Sequence, residues 1–192
     1  PGEAPAQTSG GGGLDNFERE ILFVVASARP FVVNIEAIVG PNSEINFGRS
    51  GARGLPPRRI GSGIYVSSEG GIVTTASIVD GASSIIIRSP DGSPHEAKVI
   101  GIDRRTNIAV LSCAGTTLPA ARLGDSSLAP PGARVVVVGS YPVAEPLCSF
   151  GTIVMDRGLV WGFSEVEMMQ ISAPVKGVNS GSAVVNSEGR VV

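Results

Sequence analysis

The chain has 192 residues, a length that suits one domain or two small halves packed as one. A net charge of -2 excludes a strong electrostatic attraction to phosphate backbones, so nucleic acid is not expected as a partner. Hydrophobic residues make up 42% and charged residues 17%, and 26 glycines and 14 prolines interrupt the chain too often for a helical bundle, which favours an all-β fold.

The first predicted elements are a flexible tether and one helix. Residues 1–15 are expected to form the tether because most of this stretch is Pro, Gly, Ser and Ala with a four-glycine run. Asp15 and Glu18 have the spacing of a capping box, and apolar residues then recur at helical intervals as far as Ala28. We therefore expect one amphipathic helix at about residues 16–28, ending before Pro30.

A strand and a long loop follow the helix. Residues 31–39 are rich in β-branched side chains and predict a strand. Residues 40–59 predict a polar loop that carries the arginines Arg49, Arg53, Arg58 and Arg59. These arginines could form a patch for an anion or a partner, although a solvated loop is the simpler interpretation.

From residue 61 onward the chain alternates between short apolar runs and tight turns, with almost no helix. Strands are predicted at residues 64–66, 71–75, 84–88, 96–100, 108–112, 134–138, 149–155 and 168–172. The hairpin sequence at 61–73 is echoed at 181–192, which suggests two related β-barrels at about 31–115 and 120–192 within a domain covering 16–192. Chance similarity between two short hairpins is the alternative.

Cysteine and histidine usage gives no sign of a metal or a cofactor. Cys113 and Cys148 are too few for a disulfide scaffold and lie in apolar surroundings, so both are predicted to be buried free thiols. One histidine and two separated cysteines do not make a metal site. No apolar run approaches the roughly 18 residues of a membrane span, so this segment is not expected to cross a membrane.

Ser180 is a candidate nucleophile, because it lies between small residues just before an apolar run. A serine hydroxyl needs an adjacent base, usually a histidine that a carboxylate orients. The single histidine, His95, follows Pro94 beyond an Asp-Gly turn. Lys176 lies four residues before Ser180 and offers an alternative Ser-Lys dyad, but the amine would have to be desolvated, and Gly177 beside it favours an exposed loop.

The echoing hairpins, the Gly-Ser-Gly at 61–63, the Asp-Gly turn at 91–92 and the Asn-Ser-Gly at 179–181 together resemble the protease domain of the HtrA (Deg) family of chymotrypsin-like serine proteases. The resemblance runs from about residue 20 to the end. It implies two perpendicular β-barrels with the active site in the cleft between them, a homo-oligomer that is commonly a trimer, and work on misfolded or regulatory proteins in the periplasm or an equivalent compartment. It also implies that the domain continues beyond Val192 with another strand pair and a C-terminal helix, and that PDZ domains often follow.

The resemblance assigns two catalytic positions to residues that differ from the family pattern. The family's histidine lies in Thr-Asn-x-His-Val-Val, and residues 74–79 here read Thr-Thr-Ala-Ser-Ile-Val, which puts Ser77 in its place. The family's aspartate lies in Asp-x-x-x-Asp-x-Ala-x-Leu, and residues 103–111 put Asn107 in its place. By the same resemblance His95 is expected on the barrel surface.

The nucleophile motif Gly-Asn-Ser-Gly-Gly is answered by residues 178–182, which retain the serine as Ser180. Val178, Asn179 and Ser180 then correspond to the oxyanion-hole segment, but Val178 replaces the glycine that donates one of its amides. A β-branched residue is disfavoured at positive φ, so the hole itself is predicted to be defective. Ser77, Asn107 and Ser180 are expected to converge in the cleft.

These substitutions predict a pseudoprotease: a catalytically inactive HtrA-like homologue that binds a protein or peptide ligand as a scaffold or regulator in protein quality control. An extended peptide could pair with the strand edge at 171–177, where Ile171, Ser172, Ala173 and Lys176 are the predicted contacts. Pro174 removes one amide donor from that edge. The alternative is a serine endopeptidase that uses a Ser180–Lys176 dyad.

Overall fold

The computed structural model describes residues 12–40, 58–116, 118–141, 144–159 and 166–192. Strands dominate these ranges, which confirms the all-β class. The helices are α1 (Gly12–Ala28) and α2 (Ala76–Val79), and the strands are β1 (Val32–Val39), β2 (Arg58–Tyr65), β3 (Gly71–Thr75), β4 (Ala82–Arg88), β5 (Pro94–Asp103), β6 (Ile108–Ser112), β7 (Arg134–Tyr141), β8 (Ala144–Leu159), β9 (Glu167–Ile171) and β10 (Ala183–Asn186).

The first half is a closed antiparallel barrel with the strand order β1-β2-β3-β6-β5-β4. Alternate residues of β1 point into it, and Val33, Ile35 and Ala37 are completely buried. Tyr65 and Leu111 fill the same interior from β2 and β6. The barrel strands begin at Val32 and end at Ser112, whereas the predicted limits were 31 and 115.

The second half is a four-stranded antiparallel sheet with the order β10-β7-β8-β9, and within the described residues it does not close. Its two faces pack differently. Val136 and Val138 of β7 join the core that the barrel and α1 also share. Val135, with Ile153 of β8, belongs to a smaller separate cluster on the other face.

Helix α1 begins earlier than predicted. It starts at Gly12, so Asp15 lies inside the helix, and both the capping-box interpretation and the tether limit at residue 15 were wrong. Residues 1–11 lie outside the described ranges. Because α1 leads into the barrel yet packs on the second sheet, it links the two halves; Ile21, Val24, Val25 and Ala28 enter the shared core.

A contact between aromatic rings and an ion pair also hold α1 on the second sheet. The Phe17 ring meets Phe150 edge to face, with 4.9 Å between ring centroids. The Arg134 guanidinium lies 5.9 Å from the Phe17 ring centroid and pairs with Glu20 at 2.9 Å. An apolar ring contact and an ion pair therefore fix one end of α1 on β7 and β8.

The echoing hairpins meet where the two halves touch. Ser62 is completely buried, and the Ser182 hydroxyl lies 3.4 Å from its Oγ. The Ser140 amide donates to the Ser62 hydroxyl at 2.9 Å. Both hairpins turn through a glycine in the left-handed region, Gly70 with φ 93° and Gly189 with φ 76°. The repeated sequence thus produces the same turn twice, and its equivalent serines face each other across the junction.

Two of the four arginines contradict the loop interpretation. Arg58 and Arg59 lie in β2, not in a loop. Arg58 pairs with Glu36 at 3.3 Å, and Arg88 reaches the same carboxylate at 2.8 Å. Arg59 is only 5% exposed and donates to the Asp80 carbonyl at 2.7 Å. Arg49 and Arg53 lie outside the described residues.

The two cysteines are both free, but only one is buried as predicted. Burial raises the pKa of the Cys113 thiol. Cys148 is exposed; it lies opposite Val138 and on the same side of β8 as Phe150, whose side chain also reaches solvent. Within the described ranges, no helix is long and apolar enough to cross a membrane.

Candidate functional site

Asn107 organises the segment that carries Ser77. Ser77 lies in the short helix α2, directly after β3, and β3 pairs with β6 so that Thr75 lies opposite Ile108. Asn107 therefore comes beside the start of α2. Its carbonyl accepts the Ala76 amide at 2.9 Å, and its Oδ1 accepts the Ser77 amide at 2.9 Å. These two amides have no partner inside the helix, so Asn107 acts as their cap.

The backbone of Asn107 is also unusual. Its φ of 58° makes it the one non-glycine residue with positive φ in the described part of the chain. Asparagine tolerates this left-handed region better than most residues, because its short polar side chain can hydrogen-bond locally. The conformation turns both oxygens of Asn107 towards α2. The first two predicted site residues are therefore in direct contact.

The other end of α2 is held by the same turn. Arg104 binds the Asp80 carboxylate in a two-pronged contact, Nε to Oδ2 at 2.7 Å and Nη2 to Oδ1 at 2.9 Å. The hydrogen bond from Arg104 holds the pKa of Asp80 below its ordinary value. Two residues of the turn between β5 and β6 therefore hold the two ends of α2: Asn107 caps its start, and Arg104 binds Asp80 at its end.

Ser180 reaches the same region from the second sheet. It follows a 3₁₀ turn, Gly177–Asn179, and its carbonyl accepts the Ser62 amide at 2.8 Å. Gly61, just before Ser62, touches both sides of the site: a Cβ there would overlap the Ile78 side chain of α2 and lie 2.9 Å from the Ser180 carbonyl oxygen. The missing side chain of Gly61 allows α2 and the Ser180 loop to approach one another.

The hydroxyl groups of the site have few partners. The Ser77 hydroxyl lies 3.5 Å from the Thr75 hydroxyl, a long contact. The Ser180 hydroxyl makes no hydrogen bond to another described residue. No group that could act as a base is therefore engaged with Ser180 in the part of the chain that the structure describes.

His95 lies far along the barrel from this site. It is on β5 opposite Ile87 and is half-buried. Roughly 25 Å of strand separates it from Asp103, where the turn that carries Asn107 begins. Among the described residues, no three or more His, Cys, Asp or Glu side chains are grouped so that they could hold a metal ion.

Lys176 lies at the start of the 3₁₀ turn with its side chain exposed. Its backbone amide donates to Asn179 Oδ1 at 2.9 Å. An exposed ammonium group keeps its hydration, whereas a lysine that serves as a general base must be desolvated and within reach of the nucleophile. The environment of Lys176 therefore does not supply the desolvation that a dyad with Ser180 requires.

The oxyanion-hole segment is folded onto itself. The Ser180 amide donates to the Gly177 carbonyl at 3.1 Å, so one amide that an oxyanion would need already has a partner. The 3₁₀ conformation of Gly177–Asn179 requires negative φ at Val178, which is the region that a β-branched residue favours. The turn and the residue at 178 are therefore mutually consistent.

The four predicted peptide contacts do not form one free edge. β9 is the outer strand of its sheet in the described residues, but the Ser172 amide just after it donates to the Thr152 carbonyl of β8 at 2.9 Å. Ala173 is 6% exposed and packs closely on Gly151. Ile171 is half-buried in the smaller cluster, whereas Ser172 and Lys176 are exposed. The free backbone edge in this region is β9 itself.

Three features of the candidate site were not predicted from the sequence: the Gly177 carbonyl, the Ser62 amide and the Asp80–Arg104 pair. The first two act through the backbone, so residue identity carried no signal for them. Opposite charges at 80 and 104 were readable in the sequence, but only the pairing of β3 with β6 and of β6 with β5 brings them together.

Comparisons with known proteins agree with this architecture. Residues 61–192 match the family model of the trypsin-like peptidase domain. A protein of Pseudomonas savastanoi pv. phaseolicola (strain 1448A / Race 6), named probable periplasmic serine endoprotease DegP-like, is 32% identical over 158 residues, which cover 82% of this chain and 33% of that protein. A protein of Marinomonas sp. (strain MWYL1) with the same name is 29% identical over 196 residues, covering 88% of this chain and 42% of that protein.

The solved structure described as HtrA-type protease AlgW with tripeptide superposes with a TM-score of 0.76 at 25% identity, over 90% of this chain and 52% of that one. This similarity confirms the expected trypsin-like fold. The chain spans only 33% of the length of the Pseudomonas savastanoi relative.

Proposed function

The chain is an HtrA-like member of the trypsin-like peptidase domain family, and on this premise we propose that it is a pseudoprotease, which binds a protein or peptide ligand without cleaving it. One observation carries the proposal: within the described residues, the Ser180 hydroxyl has no base to accept its proton. Ser77 and Asn107 occupy the positions that the family gives to the base and its orienter.

Neither replacement can perform the missing proton transfer. The Ser77 hydroxyl and the Asn107 amide do not ionise near pH 7, whereas a general base needs a pKa close to the working pH. The family's three catalytic side chains act as a unit, so losing one removes most of the rate advantage. The Ser180 amide, bonded to Gly177, supports the same conclusion independently, because stabilisation of the oxyanion is a separate contribution to the rate.

Ligand binding does not depend on these groups. An extended peptide can add a strand to a sheet edge through backbone hydrogen bonds and side-chain pockets alone. Among the described residues, β9 (Glu167–Ile171) is an edge strand of the second sheet, and its outer side supports this mode. The solved neighbour is described as an HtrA-type protease with tripeptide, so a related protein is found with peptide.

The family resemblance also supplies the setting that we propose. The relatives from Pseudomonas savastanoi and Marinomonas are named periplasmic endoproteases, so we place this chain in the periplasm or another extracytoplasmic compartment. There it would act as a homo-oligomer, a trimer by family resemblance, that binds misfolded or regulatory proteins in protein quality control. No cofactor or metal enters the proposal.

An activity-based fluorophosphonate probe tests the lack of catalysis directly. The probe forms a covalent adduct only with an activated serine, so this protein should label no faster than its Ser180→Ala variant, while an active HtrA protease labels readily. Specific labelling at Ser180 would contradict the proposal. If labelling occurred and disappeared in Lys176→Ala but not in Lys98→Ala, the alternative Ser180–Lys176 dyad would replace it; Lys98 is also exposed and lies on the barrel.

Binding is measured separately. Fluorescein-labelled casein, an unfolded protein, should gain fluorescence anisotropy when it is titrated with this protein, and it should remain intact on a gel after prolonged incubation. Fragments of casein would restore an enzymatic role. Intact casein without any gain in anisotropy would contradict the binding half of the proposal and leave the catalytic half standing.

A further inference from the structure

Asn34 is a buried polar residue that contacts both halves of the domain. It is only 1% exposed, and its side chain leaves β1 on the side away from the barrel interior, because Val33 and Ile35 point inward. Its Nδ2 donates to the Gly61 carbonyl of β2 at 3.1 Å and to the Ser140 carbonyl of β7 at 3.2 Å. One side-chain amide therefore joins the barrel to the second sheet.

The bond to Gly61 acts on the peptide group that also holds Ser180. The Gly61 carbonyl and the Ser62 amide belong to one planar peptide group, and the Ser62 amide donates to the Ser180 carbonyl at 2.8 Å. The hydrogen bonds thus run in series from Asn34 through this peptide group to Ser180. Bonds in such a chain polarise and strengthen one another, so the contact of Asn34 supports the contact of Ser180.

Ser140 ties the same peptide group to the second sheet. Its carbonyl accepts from Asn34, and its amide donates to the Ser62 hydroxyl at 2.9 Å. Asn34 and Ser62 lie opposite each other on β1 and β2, so this pair binds both backbone groups of one residue of β7. The barrel and the second sheet are therefore aligned at the point where Ser180 is held.

Oδ1 of Asn34 indicates that the residue does more than fill space. This oxygen is buried and has no hydrogen-bond partner among the described residues. A buried acceptor without a partner is destabilising, and an apolar side chain such as that of Val32, on the same side of β1, would avoid the penalty. The two bonds that Nδ2 donates give the physical reason for an asparagine at this position.

We propose that Asn34 is a positioning residue of the candidate site. Through the Gly61–Ser62 peptide group it sets where the Ser180 carbonyl lies relative to the barrel, and through Ser140 it ties that position to the second sheet. The inference goes beyond the proposed function, because the same contacts would place a catalytic serine or an inactive one.

NMR on the ligand-free protein tests this chain of bonds. A scalar coupling through the hydrogen bond, between the Ser62 nitrogen and the Ser180 carbonyl carbon, should be present in the wild type. It should weaken in Asn34→Leu, which is similar in size and removes the donor. Protection of the Ser62 amide against hydrogen exchange should fall in this variant by about 2- to 10-fold, since one bond of a chain strengthens the next by about 10–30%.

Thr74→Val is the matched control. The Thr74 hydroxyl is also buried and also donates to Ser62, at 2.7 Å, but to the Ser62 carbonyl, which belongs to the next peptide group. Valine keeps the shape and removes that donor, so the coupling between Ser62 and Ser180 should stay near its wild-type value. Equal losses in Thr74→Val and Asn34→Leu would overturn the proposal, as would a wild-type coupling in Asn34→Leu.

The wild-type protein provides an arm that needs no substitution. The side-chain NH₂ protons of Asn34 should exchange at least about 10-fold more slowly than those of the exposed Asn16, because Asn34 is buried and donates to two carbonyls. Equal rates, or no coupling between Ser62 and Ser180, would overturn the proposal even if Asn34→Leu failed to fold. Continued protection of the Val137 amide, in the centre of β7, shows that a variant is folded. Because no ligand is present, these outcomes are independent of the casein and fluorophosphonate results.

Discussion

Under the proposed assignment, the two sides of the candidate site depart from the family pattern in different ways. On the barrel side the framework is intact, because Asn107 caps α2 and Arg104 holds its far end, but Ser77 and Asn107 lack the required chemistry. On the sheet side the serine remains, but the Ser180 amide already donates a hydrogen bond to the Gly177 carbonyl. The first defect lies in side chains and the second in the backbone, so they should respond differently to substitution.

On the barrel side, substitutions that supply the missing catalytic side chains should cost little stability. Asparagine and aspartate have nearly the same shape, and a carboxylate oxygen can accept the Ser77 amide as Oδ1 of Asn107 now does. On the sheet side, a peptide unit must rotate against the preference of Val178. Side-chain chemistry can therefore be restored independently of the hole.

The largest expected effect is on the rate of catalysis. Ser77→His with Asn107→Asp supplies a base and its orienter, and adding Val178→Gly frees the turn to open. The triple variant should react with a fluorophosphonate probe and cleave casein about 10²- to 10³-fold faster than the double variant, the usual cost of one missing oxyanion-hole donor. Initial rates on both reagents measure the difference.

Val178→Gly alone is the control for that comparison, and it should remain unreactive because no base is present. If the double variant matched the triple, the amide of Ser180 would already be available. The contrast between the two sides of the site would then be lost.

The next largest effect is on stability, at Asn107. Asn107→Ala removes the cap on the Ser77 amide, at about 1 kcal/mol, and places an alanine at positive φ, at about 1 kcal/mol more. The melting temperature should fall by about 4–8 °C, since 1 kcal/mol corresponds to about 2–4 °C at this length. Thermal unfolding followed by circular dichroism measures it.

Two further variants separate the loss of the cap from the cost of alanine at positive φ. Asn107→Gly removes the cap but tolerates positive φ, so its loss should be about half as large. Asn107→Asp keeps the accepting oxygen and should unfold near the wild-type temperature. A melting temperature of Asn107→Ala equal to that of the wild type would show that the barrel side is not organised by this residue.

The smallest effect is the pH dependence of the Asp80–Arg104 contact. The pKa of Asp80 is lowered in the folded protein from its ordinary value of 3.8, chiefly by the hydrogen bond from Arg104. A lowered pKa means stability that is fully present above the unfolded pKa and is lost as the pH falls through the folded one. Arg104→Gln should therefore destabilise the protein slightly at neutral pH, and the difference should vanish in acid.

Urea unfolding of both proteins between pH 7 and pH 2 measures that difference. Arg105→Gln is the matched control, because Arg105 is an exposed neighbour whose charge acts on Asp103 and not on Asp80. A difference between wild type and Arg104→Gln that stayed constant below pH 3.8 would contradict the assignment of the contact to Asp80.

Strand positions were readable because period-two alternation is a local property. β6 was predicted at 108–112 and lies at Ile108–Ser112, and most other strands differ only at their ends. Helix α1 was predicted, but its start was not, because the glycines before Asp15 argue against helix locally whereas the helix packs on the second sheet. Arg58 and Arg59 read as loop residues because charge is rare in a strand, yet Glu36 and the Asp80 carbonyl bind them.

The sequence alone determined which side chains the site contains, because residue identity decides that no histidine or aspartate stands at 77 or 107. It also carried the preference of Val178 for negative φ, which is intrinsic to a β-branched residue. Only the tertiary structure decided where the backbone groups point. Three contacts depend on strand pairing or on one local turn: the Asn107 cap on α2, the hydrogen bond from the Ser62 amide to the Ser180 carbonyl, and the one from the Ser180 amide to the Gly177 carbonyl. Because nearly every residue of any sequence carries a backbone amide and a carbonyl, residue identity does not reveal which of them pair.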